Sequence, residues 1–300
     1  MSNVIPSTPI TGKTKVYGVF GDPVAHSLSP VMHNATFRHF HIDAVYVAFH
    51  VRPEDLPRAV AGVRSMGIAG INVTIPHKQA ILPLLDHLDP VAAQIGAVNT
   101  VVNRDGLLTG YNTDASGFLR SARQELHFEP RARKALLLGA GGAGRAAAQA
   151  LIAAGVASLT VANRDPGRAE QLLAAFHPAF AGQQLTATDY QETAFFTAVA
   201  EADLIVNSTS LGLHGETLNF LPLENIKGSA LIYDMVYSMT GTPLARSAHA
   251  LGLPAVDGFT LLAAQGEDAF RLWTDRSPPA GFMCRQLLEY QRQTNMDGKG

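Results

Sequence analysis

Residues 135–148 read ALLLGAGGAGRAAA, and this stretch decides the fold. A continuous apolar run such as Ala135–Leu138 suits a strand buried on both faces. Gly139, Gly141 and Gly144 follow with the spacing G-x-G-x-x-G, and an alanine-rich helical segment continues to about Ala154. Alone the spacing says little; between a strand and a helix it has a mechanism. The first glycine permits a tight turn, the second lets backbone approach a pyrophosphate, and the third lets helix and strand pack closely. Phosphates then meet the positive end of the helix. A Gly/Ala-rich turn in an ordinary α/β protein is the bland alternative. The flanking strand and helix favour a dinucleotide, held by Gly139, Gly141, Gly142, Ala143 and Gly144.

The next strand, at Ser158–Ala162, bears on which dinucleotide. A site for NAD usually places Asp or Glu there, about 20 residues on, to bond the ribose 2′-hydroxyl. This chain has Asn163-Arg164-Asp165, with Arg168 a helical turn later. Arg164 and Arg168 suit a 2′-phosphate through charge-assisted hydrogen bonds. As solvated surface residues they would carry no such role. Asp165 pulls the other way, because a carboxylate repels a phosphate and accepts from a free hydroxyl. The two guanidinium groups favour NADP, with NAD as the alternative.

The chain has 300 residues, 47% hydrophobic and 16% charged, which excludes wholesale disorder and suits two domains or one large α/β unit. A net charge of −2 leaves no basic footprint for nucleic acid. As the one cysteine of the sequence, Cys284 cannot form an internal disulfide, which fits a reducing, cytoplasmic compartment. No apolar run nears the ~18 residues of a membrane span. The N-terminal MSNVIPSTPITGKT reads as a polar arm without a signal-peptide core, and the final MDGKG as a frayed end.

Before the glycine loop, short apolar runs alternate with helix-like segments. Val16–Phe20, Val45–Val51 and Ile68–Ile75 read as strands, with a helix from about Pro53 to Met66. Val98–Val102 and Leu107–Tyr111 flank an Asp-Gly pair, a hairpin signal. The alternation predicts an α/β fold with a mainly parallel sheet. Residues 125–133, polar and containing a proline, form the weakest link to the second unit. Helices are expected at about Leu261–Trp273 and Ala280–Gln293.

Four clusters lie outside the glycine loop. His26-Ser27-Leu28-Ser29-Pro30 offers an N-cap at Ser29 and Pro30 at the first helical position. A capped helix start flanked by two hydroxyls is also a carboxylate pocket. Asn72-Val73-Thr74-Ile75-Pro76-His77-Lys78 places Asn72, Thr74 and Lys78 at the end of an apolar strand. Ligands of open α/β sheets bind there, and Lys78 is a candidate acid/base. A solvated lysine in the first turn of a helix is the plainer reading. Gly96-Ala97-Val98-Asn99-Thr100 and Gly110-Tyr111-Asn112-Thr113-Asp114 follow. Taken singly, Asp114 reads as a helix cap. Tyr237 follows a strand, and Gln265 sits on the apolar face of its helix, where an amide needs a partner. There is no His-Glu-x-x-His and no Cys/His cluster, so no metal is expected.

Together these clusters resemble the shikimate dehydrogenase family, the shikimate and quinate dehydrogenases. The likeness continues through Asn207-Ser208-Thr209, Tyr233-Asp234-Met235-Val236-Tyr237, Thr242-Pro243-Leu244, Gln265, Phe270 and Trp273, and covers about residues 16–290. It implies a substrate domain over 1–125, a Rossmann-like NADP domain over 126–257, and C-terminal helices over 258–300 returning to the substrate domain. It implies reversible NADP-dependent oxidation of shikimate to 3-dehydroshikimate, on the chorismate route to aromatic amino acids, by a monomer or homodimer. Ser27 and Ser29 would hold the substrate carboxylate, Lys78 and Asp114 would flank the reacting hydroxyl, and Thr74, Asn99, Tyr237 and Gln265 would line the pocket. Asn163, Arg164 and Arg168 would read the adenosine phosphate, with Thr209 and Gly258 further along the cofactor. The family often has Thr where this chain has Asp165, and departures also fall at Leu213 and Thr260-Leu261. A quinate/shikimate dehydrogenase using NAD or both cofactors is the near alternative. A methylene-tetrahydrofolate dehydrogenase would want an extended apolar groove, and an NADP-binding sensor would need neither Lys78 nor Asp114.

Overall fold

A computed structural model describes residues 9–176 and 182–297. Residues 1–8, part of the polar arm, and 298–300, within the expected frayed end, lie outside the described residues. The chain forms two compact units. One takes in the chain up to Ala93, Val98–Thr113 and the chain from Gln265; the other takes in Gln94–Ala97 and Asp114–Ala264. No helix among the described residues is long and apolar enough to cross a membrane.

The first unit contains β1 (Lys15–Gly21), α1 (Ser29–His39), β2 (Ala44–His50), α2 (Leu56–Ser65), β3 (Gly70–Val73), α3 (His77–Ala80), β4 (His87–Leu88), the start of α4 (Pro90–Ile95), β5 (Thr100–Arg104) and β6 (Leu107–Tyr111). Its sheet runs β2-β1-β3-β5-β6-β4. The pairs β1–β2, β1–β3 and β4–β6 are parallel, and β3–β5 and β5–β6 are antiparallel. Asp105 and Gly106 both take positive φ (53° and 87°), as a two-residue hairpin turn demands. Side chains alternate across the sheet. Phe20, Ile71, Val73, Val101 and Leu108 pack with Leu56, Val60 and Val63 of α2. Tyr17 and Tyr46 meet Phe37 and Trp273 in an aromatic cluster.

The second unit contains α5 (Asp114–Leu126), β7 (Lys134–Leu138), α6 (Gly142–Ala153), β8 (Ser158–Ala162), α7 (Pro166–Ala174), β9 (Gln184–Thr188), α8 (Thr193–Glu201), β10 (Leu204–Asn207), β11 (Leu231–Asp234), α9 (Pro243–Ala250) and β12 (Ala255–Val256). Its sheet is wholly parallel, in the order β12-β11-β10-β7-β8-β9, the arrangement of dinucleotide-binding folds. The run in β7 is apolar throughout because both faces are covered. Ala135 and Leu137 face the core that contains Ala146, Ala147 and Leu151 of α6, while Leu136 and Leu138 face Phe195 and Val199 of α8. Two helices follow, α10 (Phe259–Thr274) and α11 (Phe282–Asp297).

The unit boundaries fall at 113/114 and 264/265, where the sequence reading set 125/126 and 257/258. Packing explains the difference. Ala115, Phe118 and Ala122 of α5 share a core with α6, and Leu261 at the start of α10 joins it.

In the first unit, Trp273 donates its indole N–H to the Val101 carbonyl at 3.0 Å. The ring lies over Gly70, where a Cβ would collide with the indole nitrogen. Gly70→Ala should destabilise the protein by about 1–3 kcal/mol through overpacking, read as a lower midpoint in urea unfolding.

Candidate functional site

In the first unit β1 and β3 pair in parallel with Phe20 opposite Val73, so their carboxyl ends lie side by side. From β1 the chain runs on to Ser27 and Ser29, and from β3 to Thr74 and Lys78. The Thr74 N–H donates to the Phe20 carbonyl at 2.9 Å, and the Asp22 N–H to the Ile75 carbonyl at 3.0 Å. A Cβ on Gly21 would come within 2.5 Å of the Thr74 methyl carbon, so the two loops close up only because that residue is glycine. Antiparallel β5 begins at the same edge: the Val73 N–H donates to the Asn99 carbonyl, and the Val98 N–H to the Lys78 carbonyl, each at 2.8 Å. Gln265 is buried, and its Oε1 accepts from Asn99 Nδ2 at 3.5 Å. The structure therefore gathers Ser27, Ser29, Thr74, Lys78, Asn99 and Gln265 at one end of this sheet.

Ser29 does not cap α1. It is already inside the helix, with Leu28 as the flanking residue and no side-chain cap bond. A cap must stand outside the helix to reach the N–H groups ahead of it. Instead Ser27 Oγ accepts the Ser29 N–H at 3.3 Å. Asn72 is engaged within the fold: its Oδ1 accepts from the Tyr46 hydroxyl at 2.7 Å, and its Nδ2 donates to Asn99 O and Thr100 Oγ1.

In the second unit the glycine loop follows β7. Gly139 has φ +101°, and Gly144 packs so tightly that a Cβ would run into the Gly139 carbonyl oxygen. Ser208 Oγ fixes the turn, donating to Leu138 O at 2.8 Å and lying 3.2 Å from Gly139 O. A Cβ on Gly141 would meet nothing within 4 Å, and no side chain caps α6. Open space at Gly141 beside an uncapped helix start fits a pyrophosphate. Arg164, just past the end of β8, and Arg168, in the first turn of α7, are exposed. Asn163 Nδ2 donates to the Asp165 carbonyl at 2.8 Å, and Asp165 caps α7 by accepting the Gly167 N–H at 3.1 Å. At the end of β10, Asn207 Oδ1 accepts from the Thr209 N–H and hydroxyl at 3.1 and 2.7 Å. Gly258 lies where a Cβ would strike the Met235 carbonyl. Tyr237 meets the Phe259 ring edge-on, 6.4 Å between centroids.

Asp114, read as part of the substrate domain, opens α5 and belongs to the unit that carries the glycine loop. It follows Thr113 directly in the chain, and Thr113 bonds Asn99 in the first unit.

Three residues escaped the sequence reading. Arg145 follows the third glycine and donates to the Ile95 carbonyl at 3.3 Å; burial, then the nearby Arg168 charge, lowers its pKa. A charge interrupting an alanine run was the available signal. Tyr190 lies within electrostatic reach of Arg164 and stacks on Phe220 at 3.9 Å. Tyr46 is hidden inside an apolar strand run. Asp234, in a motif noted only for its resemblance, is fully buried and accepts from Asn207 Nδ2 at 2.8 Å and the Val236 N–H at 3.1 Å. Burial outweighs these bonds and pushes its carboxyl from the ordinary 3.8 up to about 6.

Two family descriptions match the chain: "Shikimate dehydrogenase substrate binding domain" over residues 19–101, and "Shikimate / quinate 5-dehydrogenase" over residues 120–214. The shikimate dehydrogenase (NADP(+)) of Geobacter metallireducens is 47% identical over 279 residues, covering 93% of this chain and 98% of the relative. The crystal structure of shikimate dehydrogenase from Aquifex aeolicus is 36% identical with a TM-score of 0.84, covering 93% of this chain and 99% of that one. Quinate dehydrogenase from Corynebacterium glutamicum, in complex with NAD, is 33% identical with a TM-score of 0.82, covering 92% and 99%.

The Asp234 carboxyl binds its proton more tightly folded than unfolded, so its contribution to stability is present below pH ~4 and is lost as pH rises through about 6. Asp234→Asn should remove that component. The melting temperature of the variant relative to the wild type should rise between pH 4 and 6 and stay level above.

Proposed function

The chain belongs to the shikimate dehydrogenase family, and on that premise we propose that it oxidises the 3-hydroxyl of shikimate reversibly to 3-dehydroshikimate with NADP. The observation that carries this reading is the gathering of Ser27, Ser29, Thr74, Lys78, Asn99 and Gln265 at one sheet end of the first unit. Hydroxyl, amide and ammonium groups suit a polyol acid. Ser27 and Ser29 hold the carboxylate, and Thr74, Asn99, Tyr237 and Gln265 bond ring hydroxyls. Lys78 takes the proton of the reacting hydroxyl, with Asp114 serving the same hydroxyl. The nicotinamide, when bound, supplies the hydride acceptor.

In the second unit Gly139, Gly141, Gly142, Ala143 and Gly144 receive the pyrophosphate, with Thr209 and Gly258 further along the cofactor. Asn163, Arg164 and Arg168 take the adenosine phosphate. Asp165 speaks for NAD, and its carboxylate also caps α7; the guanidinium groups of Arg164 and Arg168 favour NADP. The lone cysteine supports a cytoplasmic setting.

Initial rates with shikimate and quinate, each with NADP and NAD, test the assignment. Shikimate with NADP should be the best pair, and a clear preference for quinate or NAD would overturn it. Lys78→Ala should lower kcat by about 10²–10⁴-fold with a modest change in shikimate KM. Arg164→Ala removes a charged hydrogen bond of about 1.5–3 kcal/mol, so the KM for NADP should rise about 10- to 100-fold while that for NAD holds.

A further inference from the structure

We propose that Tyr46 is a positioning residue for shikimate binding, acting through Asn72 on Asn99. This rests on the reading of Asn99 as a substrate contact. Tyr46 lies in β2, and its ring is 1% exposed. His33 of α1 stacks on it at 4.5 Å with 12° between planes, and the Trp273 ring lies 6.0 Å away. Both His33 ring nitrogens are buried without a hydrogen-bond partner, and burial lowers its pKa to about 3. The imidazole is therefore uncharged and offers Tyr46 a flat face. Shape holds the phenol ring, leaving its hydroxyl aimed at Asn72 Oδ1, 2.7 Å away.

Hydrogen-bond direction fixes the rest. The Asn99 carbonyl only accepts, so Asn72 Nδ2 faces it at 3.1 Å and Oδ1 faces Tyr46. Asn72 Nδ2 also donates to Thr100 Oγ1 at 3.0 Å, which turns the Thr100 proton onto Asn99 Oδ1 at 3.1 Å. Asn99 Oδ1 takes a further bond from the Thr113 N–H at 2.8 Å. With its oxygen held, Asn99 presents Nδ2 towards Thr113 Oγ1 and Gln265 Oε1. Tyr46, Asn72, Thr100 and Asn99 are all buried, so water does not replace a missing member. Without the phenol hydroxyl, Asn72 Oδ1 loses its donor. The amide then has reason to swing, and Asn99 loses the Thr100 bond, one of those that hold its oxygen.

The test is a double-mutant cycle in steady-state kinetics. Tyr46→Phe should raise the KM for shikimate about three- to tenfold, the size of one neutral hydrogen bond, with kcat within twofold and the KM for NADP unchanged. Thr100→Val, which removes the other hydroxyl on Asn72, carries the same expectation and serves if Tyr46→Phe does not fold. In an Asn99→Ala background, Tyr46→Phe should add less than twofold, because its effect passes through Asn99. A full additional rise there, or an unchanged shikimate KM in both single variants, overturns the proposal. If Asn99→Ala itself leaves the shikimate KM unchanged, the substrate-site reading falls and the proposal with it. A rise with Asn99→Ala alone defeats only the role of Tyr46.

Discussion

Parallel strand pairing governs where the candidate site residues sit in each unit. Parallel neighbours all send their carboxyl ends to the same edge, so loops distant in sequence share a neighbourhood. In the first unit this brings the segment after β1 beside Thr74 and Lys78. In the second, β7 is central, flanked by β8 and β10. The glycine loop therefore lies between the segment that begins at Asn163 and the Asn207-Ser208-Thr209 turn, and Ser208 reaches across to grip it. Glycine marks the points of closest approach. Gly21, Gly144 and Gly258 each stand where any side chain would strike a neighbouring strand end or loop.

The polar groups at these edges differ in how well the fold repays their burial. Around Asn72 the amide bonds are matched donor to acceptor, and no charge is enclosed. Around Asp234 a carboxylate is enclosed, and Asp257 nearby is also held above its usual range by burial. Asp234 joins the ends of β10 and β11 by accepting from Asn207 and from the backbone beyond its own strand. An apolar residue would relieve the burial of charge but leave Asn207 and the Val236 N–H without an acceptor. Order in that turn is kept at a cost in stability.

Much of this was legible in the sequence because the informative residues act locally. The glycine spacing, the Asp-Gly hairpin and the apolar run before Gly139 each depend on a few consecutive residues. The substrate-side clusters were legible as motifs, but which unit each joins was not. Asp114 goes with α5, and α5 is claimed by the core around α6, a matter of long-range packing. The Ser29 cap failed by a shift of one position, because α1 begins earlier than its proline suggests. Tyr46 and His33 were invisible because their significance lies in which faces meet across β2 and α1. Neither has a local pattern that separates a packed aromatic from one whose hydroxyl is committed to a partner.

Asp165 ties two requirements to one position. The residue that follows Asn163 and Arg164 at the end of β8 also starts α7, so sequence variation there is confined to side chains that begin helices well. Asp, Asn, Ser and Thr meet that condition. Within this set the negative charge beside Arg164 can be switched on or off in a single step, without disturbing the helix behind it. The charge of that turn can therefore drift cheaply, while a swap to a bulky or apolar residue would be resisted by folding first.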